Sequence, residues 1–175
     1  MSPHEEVAAS RKEQILISAA ALFASQGYYK TTTAHVAEAV GVTQPYVFHF
    51  FKSKEQLYLA VLEKAFDRMM SQFFSVSAPA DRLSEEMGKQ FDLLLRTHRN
   101  EMLLLMQSFT TPEPAVRQFT KEKYSLIYDR LVDRFTAVRA ADPQWQASQF
   151  IACGLIGTLA EVLELPKLAP WCDSE

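Results

Sequence analysis

Apolar residues recur along this chain at three- and four-residue spacing, in long runs that few glycines or prolines interrupt. From Arg11 to Gln26 the positions Ile15, Ala19, Leu22 and Phe23 mark one face of a helix. Gly27 stands where such a helix leaves through a left-handed cap. Thr31, Thr32 and Thr33 offer N-cap hydroxyls to a short second helix over residues 34–40, which ends at Gly41. Thr43 is the expected N-cap of a third helix over residues 44–50, with Pro45 in its first turn, where a missing N–H costs nothing. Val36, Ala37 and Val40 can then meet Val47 and Phe51, leaving Gln44, Tyr46 and His49 outward. A longer helix, a short helix, the turn Gly41-Val42-Thr43 and another short helix are the layout of a helix-turn-helix inside a three-helix bundle.

Ser53 and Gln56 form a capping box ahead of a helix from Lys54 to about Phe74. A lysine in that first turn opposes the helix dipole; it reads either as a solvated surface residue or as a ligand for an external anion. After the break Ser75-Val76-Ser77-Ala78-Pro79 the pattern predicts four more helices: Asp81 to His98, Glu101 to Phe109, Ala115 to Ala140, and one starting at Asp142-Pro143 and running to about Leu165. The first of these turns Leu83, Met87, Phe91, Leu94 and Leu95 inward, and the third Phe119, Tyr124, Ile127, Tyr128, Leu131 and Phe135. The expected fold is all-α: an N-terminal three-helix bundle over residues 1–52, then a helical domain over residues 53–175.

Composition narrows the function. The 175 residues carry 18 Lys plus Arg against 21 Asp plus Glu and are 48% apolar, an ordinary globular balance. The opening Met1-Ser2-Pro3-His4-Glu5-Glu6 has no basic stretch ahead of an apolar one, and no apolar run reaches the roughly 20 residues of a bilayer span. A cytoplasmic protein without a membrane partner is expected. Cys153 and Cys172 are too few for a disulfide framework, and neither belongs to a ligand cluster with His98. No nucleophile elbow, phosphate-binding glycine loop, HExxH or Ser/His/Asp grouping occurs, so no enzyme, cofactor or metal is expected.

Four features together carry a resemblance. They are the helix-one pattern, the Gly27-x-x-x-Thr31-Thr32 lead, the Ala39-Val40-Gly41-Val42-Thr43 turn, and Phe48-His49-Phe50-Phe51-Lys52-Ser53-Lys54-Glu55. From Arg11 to about Ala65 the chain resembles the DNA-binding region of the TetR family of bacterial transcriptional regulators. The resemblance implies an effector-responsive, sequence-specific DNA-binding regulator, most often a repressor, that binds a palindromic double-stranded operator as a homodimer. It implies that Thr32 and Thr33 lie near phosphates, that Thr43, Gln44, Pro45 and Tyr46 face the major groove, and that His49 and Lys54 contact phosphates. The chemistry agrees: Gln pairs bidentately with adenine, and Tyr46 can pack on a thymine methyl, each such base contact giving about 1–3 kcal/mol of discrimination.

Two features depart from that pattern. Phe48 stands where the family has a phosphate-binding tyrosine, and Pro45 where it has glycine. Through Arg68 the basic residues Arg11, Lys12, Lys30, Lys52, Lys54, Lys64 and Arg68 are matched by as many acidic ones, and residues 1–10 hold no basic arm for the minor groove. Modest affinity with a shallow salt dependence is the expectation. The alternative is a helical ligand carrier or protein-interaction module that has lost useful DNA binding.

The second half places Met, Phe and Tyr on inward faces, which are core residues or the lining of a pliable pocket. The resemblance implies an effector pocket there for a small apolar ligand, and Phe66, Met70, Phe91, Met102, Met106, Phe109 and Tyr128 are its expected lining. In the last helix a face of small residues suggests close approach of another backbone, within the chain or in a partner. The resemblance implies the partner, with Phe150, Gly154, Gly157 and Thr158 in the interface.

Overall fold

Local capping sets the helix ends that frame the N-terminal unit, in a computed structural model that describes residues 3–169, with side chains from Val7 onward. α1 (Pro3–Lys30) begins earlier than the apolar pattern indicates, because its first turns lack a periodic face. Gly27, at φ 77° and ψ 170°, breaks the helical run inside α1 and redirects the chain toward α2 (Thr33–Val40). The Thr32 hydroxyl caps α2 by accepting the His35 N–H at 3.2 Å. Gly41, at φ 69° and ψ 37°, closes it with two bonds: its own N–H reaches Glu38 O at 3.1 Å, and the Val42 N–H reaches Ala37 O at 2.9 Å. A Cβ at Gly41 would meet nothing within 4 Å, so the requirement for glycine is purely conformational. Gly41→Ala is expected to cost about 1–2 kcal/mol in chemical denaturation, the left-handed penalty of an L-residue. An unchanged midpoint would mean that the α2–α3 turn has another accessible form.

α3 (Gln44–Phe50) starts from Thr43, which has N-cap backbone angles but makes no side-chain capping bond, so its hydroxyl is not spent on the helix as expected. α4 (Lys54–Ser75) has the foreseen cap, with Ser53 Oγ accepting the Gln56 N–H at 3.1 Å; the Gln56 side chain reaches back one residue further, to the Lys52 N–H at 3.1 Å. Four helices complete the chain: α5 (Leu83–Thr97), α6 (Arg99–Ser108), α7 (Pro114–Ala137) and α8 (Pro143–Val162), with a 3-10 turn at Pro166–Leu168. α8 ends before Leu165 because Glu164 takes a positive φ of 53°. No strand occurs among the described residues, and none of their helices is long and apolar enough to cross a membrane. Cys172 lies outside the described residues.

Val36, Ala37, Val47 and Phe51 are buried between α2 and α3, with Ile15, Ala19 and Phe23 of α1 beneath them in one continuous core. α4 serves both halves of the chain. Near its start Tyr58 meets Phe23 edge to face at 4.8 Å, a geometry worth about 0.5–1.5 kcal/mol beyond the buried area. Near its end Phe73 packs edge to face on Phe150 of α8 at 5.2 Å.

Candidate nucleic-acid interface and effector cavity

α2 and α3 turn a polar set outward. Thr32, Thr43, Gln44, Pro45 and His49 are exposed, whereas Tyr46 is half-buried, its ring parallel to His49 at 6.5 Å and edge to face with Phe50 at 5.4 Å. Phe48 is also exposed and offers no hydroxyl. Thr33 differs from expectation. It is buried, and its hydroxyl accepts the Gln44 Nε2–H at 2.8 Å, so it faces Gln44 rather than a phosphate. Sequence reasoning missed this bond because its ends lie on different helices.

Lys54 does not point freely into solvent. Its ammonium donates to Tyr28 O at 3.1 Å and sits 4.3 Å from the centre of the Tyr28 ring. The positive charge that opposes the α4 dipole therefore satisfies a carbonyl near the end of α1. Lys54 is therefore not a fully solvated surface lysine, and two of its three N–H donors remain for a further partner.

A small apolar cavity of about 50 Å³ lies among α4, α5, α6, α7 and α8. Phe91, Met102 and Met106 line it as expected, joined by Met69, Phe73 and Tyr124. Burial pushes the Tyr124 phenol well above its usual range, so it stays neutral. Phe66 and Met70 lie instead along an open groove of about 300 Å³ between α4 and α7, separated from the cavity by Ile127 and edged by Lys123 and Arg130. Phe109 is exposed and packs on the outer side of Tyr124 at 4.9 Å, and Tyr128 is half-buried against the core; neither reaches the cavity.

The face of α8 expected to meet a partner proves to be its inner face. Phe150, Gly157 and Thr158 are buried within the chain, and Gly154 faces Phe91, whose Cζ would lie 3.8 Å from an added Cβ. Phe150, Gly154 and Thr158 belong to the cavity wall. The small residues let α8 approach α5, and the exposed large apolar residues along and just after the helix include Ile156, Leu159, Val162 and Leu163.

Polar contacts join the two halves where α6 meets α1. Gln107 donates its Nε2–H to Ala24 O at 2.9 Å, while its Oε1 is buried without a hydrogen bond. The Thr111 hydroxyl donates to Gln107 O at 2.9 Å and lies beside the buried Tyr58 hydroxyl. The Glu113 carboxylate beside Tyr29 holds that phenol above its usual range. Gln107 follows directly on the apolar stretch that lines the cavity; the pair Gln107-Ser108 closing that stretch is the signal the sequence offers.

Comparison with known proteins agrees with this arrangement. Residues 15–61 match the family model described as bacterial regulatory proteins, tetR family. The transcriptional activator FasR of Mycolicibacterium smegmatis is 27% identical over 150 residues, covering 83% of this chain and 67% of FasR. The transcriptional repressor KstR2 of the same species is 28% identical over 103 residues, 57% of this chain; the match spans only about half (49%) of KstR2. Among solved structures, a TetR-family regulator from Streptomyces coelicolor has a TM-score of 0.77 at 16% identity, covering 92% of this chain and 88% of that one. AibR, solved in complex with isovaleryl coenzyme A and operator DNA, has a TM-score of 0.69 at 22% identity, covering 91% and 98%. The fold and the relatives are those of regulators rather than enzymes. With its helix-turn-helix inside the matched segment, the chain carries a DNA-binding domain of the tetR family and, over most of its length, the fold of TetR-type transcriptional regulators.

Proposed function

We propose that the chain acts as a homodimeric, sequence-specific repressor whose hold on a palindromic operator is released by a small apolar effector. The observation that carries the DNA-binding part is the outward polar set of α2 and α3 on a helix-turn-helix whose α2 is capped at both ends. In this reading residues 1–52 are the reader and residues 53–175 the effector and dimerisation domain. Gln44 meets a base edge, Thr43, Pro45 and Tyr46 face the groove, and Thr32, His49 and the spare donors of Lys54 contact phosphates. Thr33 acts through Gln44.

The cavity supports the effector part. It is apolar, methionine-rich and bounded by α6, the helix bonded to α1 through Gln107. At about 50 Å³ it is well below the roughly 150 Å³ that takes a benzene molecule, so an effector has to enlarge it. Enlargement gives the differential affinity between two conformations that release requires. The isovaleryl coenzyme A bound to AibR supports a ligand with a compact apolar end. The outward apolar residues of α8 support a dimer through that face; KstR2, named a repressor, supports the sign of regulation, whereas FasR is named an activator.

The test is selection of duplexes from a random pool by the purified chain, followed by titration at several salt concentrations. An inverted repeat with half-sites about one or more helical turns apart is expected. With as many acidic as basic residues through Arg68, the slope of log K against log salt should be shallower than about −9, which would correspond to ten phosphate contacts. Retention no better than random DNA would overturn the reading and favour the carrier or protein-interaction module. A steeper slope would show that the electrostatic footprint extends beyond the helix-turn-helix.

A further inference from the structure

Gln44 stands exposed at the first turn of α3, and its side chain is tied to a residue on another helix, the buried Thr33 at the start of α2. A glutamine amide carries one acceptor and two donors. Left free, it flips readily and presents acceptor and donor in either order. The Thr33 hydroxyl takes one Nε2 proton at 2.8 Å, and in this arrangement Oε1 and the other Nε2 proton remain for a partner in one order; the reverse order would require the hydroxyl to turn from acceptor to donor. Adenine offers a matching pair in the major groove, an N6–H donor beside the N7 acceptor, and that pair runs in opposite directions for A·T and T·A.

Resting on the DNA-binding reading above, we propose that Thr33 is a specificity-determining positioning residue: it fixes the order of acceptor and donor that Gln44 shows to the major groove, and thereby selects one orientation of an A·T pair. The local backbone supports this. Pro45 fixes its own φ directly after Gln44, and Gly41 closes α2 in one geometry, so the two helices that carry the bonded pair are held in register. Thr33 needs no contact with DNA to act. Ordering the amide before binding removes an entropic cost that a free glutamine would meet in the complex.

The experiment uses the full chain and the duplex selected from the random pool, with Thr33→Val, Thr33→Ser, Gln44→Ala and Thr33→Val/Gln44→Ala. Thr33→Val keeps the shape and removes the hydroxyl. It is expected to weaken binding about three- to tenfold, the size of one net hydrogen bond, and to reduce discrimination at the base pair that Gln44→Ala identifies. In the Gln44→Ala background Thr33→Val should have no further effect, whereas Thr33→Ser, with Gln44 present and the hydroxyl kept, should bind as the wild type does. In the free protein, nuclear magnetic resonance should show the Gln44 side-chain N–H signals displaced from those of a free glutamine, with one proton exchanging slowly with solvent, and Thr33→Val should return both the shifts and the exchange rate to free-glutamine values.

An equal loss from Thr33→Val with and without Gln44 would overturn the proposal and make Thr33 a packing residue. So would a wild-type Gln44 amide that already exchanges like a free one, a result that needs no DNA. A wild-type chain with the locked amide but no duplex retained overturns the DNA-binding reading itself, and with it this role; the two failures are thus told apart.

Discussion

Ile156→Glu combined with Leu159→Glu is expected to leave a folded monomer and to lower affinity for the selected duplex at least a hundredfold. Both residues lie on the outer face of α8, at 44% and 41% exposure, so carboxylates there keep their water in the single chain. Between two copies they would be buried beside one another, and desolvated like charges are strongly unfavourable. Loss of the dimer separates the two recognition helices and removes an intramolecular second binding step, worth a factor of about 10² to 10⁴. Sedimentation gives the mass, circular dichroism the helix content, and a titration the affinity. A double variant that stays dimeric would place the interface elsewhere, and a wild-type chain already monomeric would remove the dimer from the proposal. Substitution at Gly157 or Thr158, buried on the inner side of α8, should disturb folding before it disturbs association.

Gln107→Leu should separate sensing from DNA binding. The wild-type amide makes one bond, to Ala24 O, and keeps a buried acceptor without a partner. Leucine removes the bond and the unpartnered acceptor together but leaves Ala24 O without its side-chain donor, so a loss of about 1 kcal/mol in stability is expected. Without the bond, enlargement of the cavity no longer pulls on α1. Duplex binding is expected to stay within about threefold of wild type. The release produced by an effector, with isovaleryl coenzyme A as the first probe, should fall about tenfold, within the usual range of coupling energies. A release curve identical to wild type would route the coupling through α4, whose Tyr58 and Phe73 also bridge the two halves.

What the sequence revealed follows the range of each interaction. Thr32, Ser53 and Asp142 cap their helices through bonds to an N–H three residues on, and Gly41 closes α2 through its nearest carbonyls, so these ends are written locally. The inward stripe of α5, from Leu83 to Leu95, follows from helical periodicity alone. The Thr33–Gln44 bond spans 11 residues and the Lys54–Tyr28 contact 26; each depends on how two helices cross, which periodicity does not encode. The small-residue face of α8 has the same limit. Spacing finds a face of small residues, but whether Phe91 or a second chain lies against it depends on the tertiary packing. Phe109 and Tyr128 look like pocket residues by composition, yet the cavity lies on the other side of Tyr124 from Phe109.

The tightness of the cavity bears on time as well as affinity. At about 50 Å³ the cavity has to widen, through its lining side chains or the helices that carry them, before a ligand of more than a few atoms fits. Such a ligand enters only the fraction of molecules already open, and its apparent dissociation constant is raised by the inverse of that fraction. Its observed association rate should then level off with concentration at the opening rate. Breathing of the closed form would set how quickly a cell's regulatory response follows a change in metabolite level.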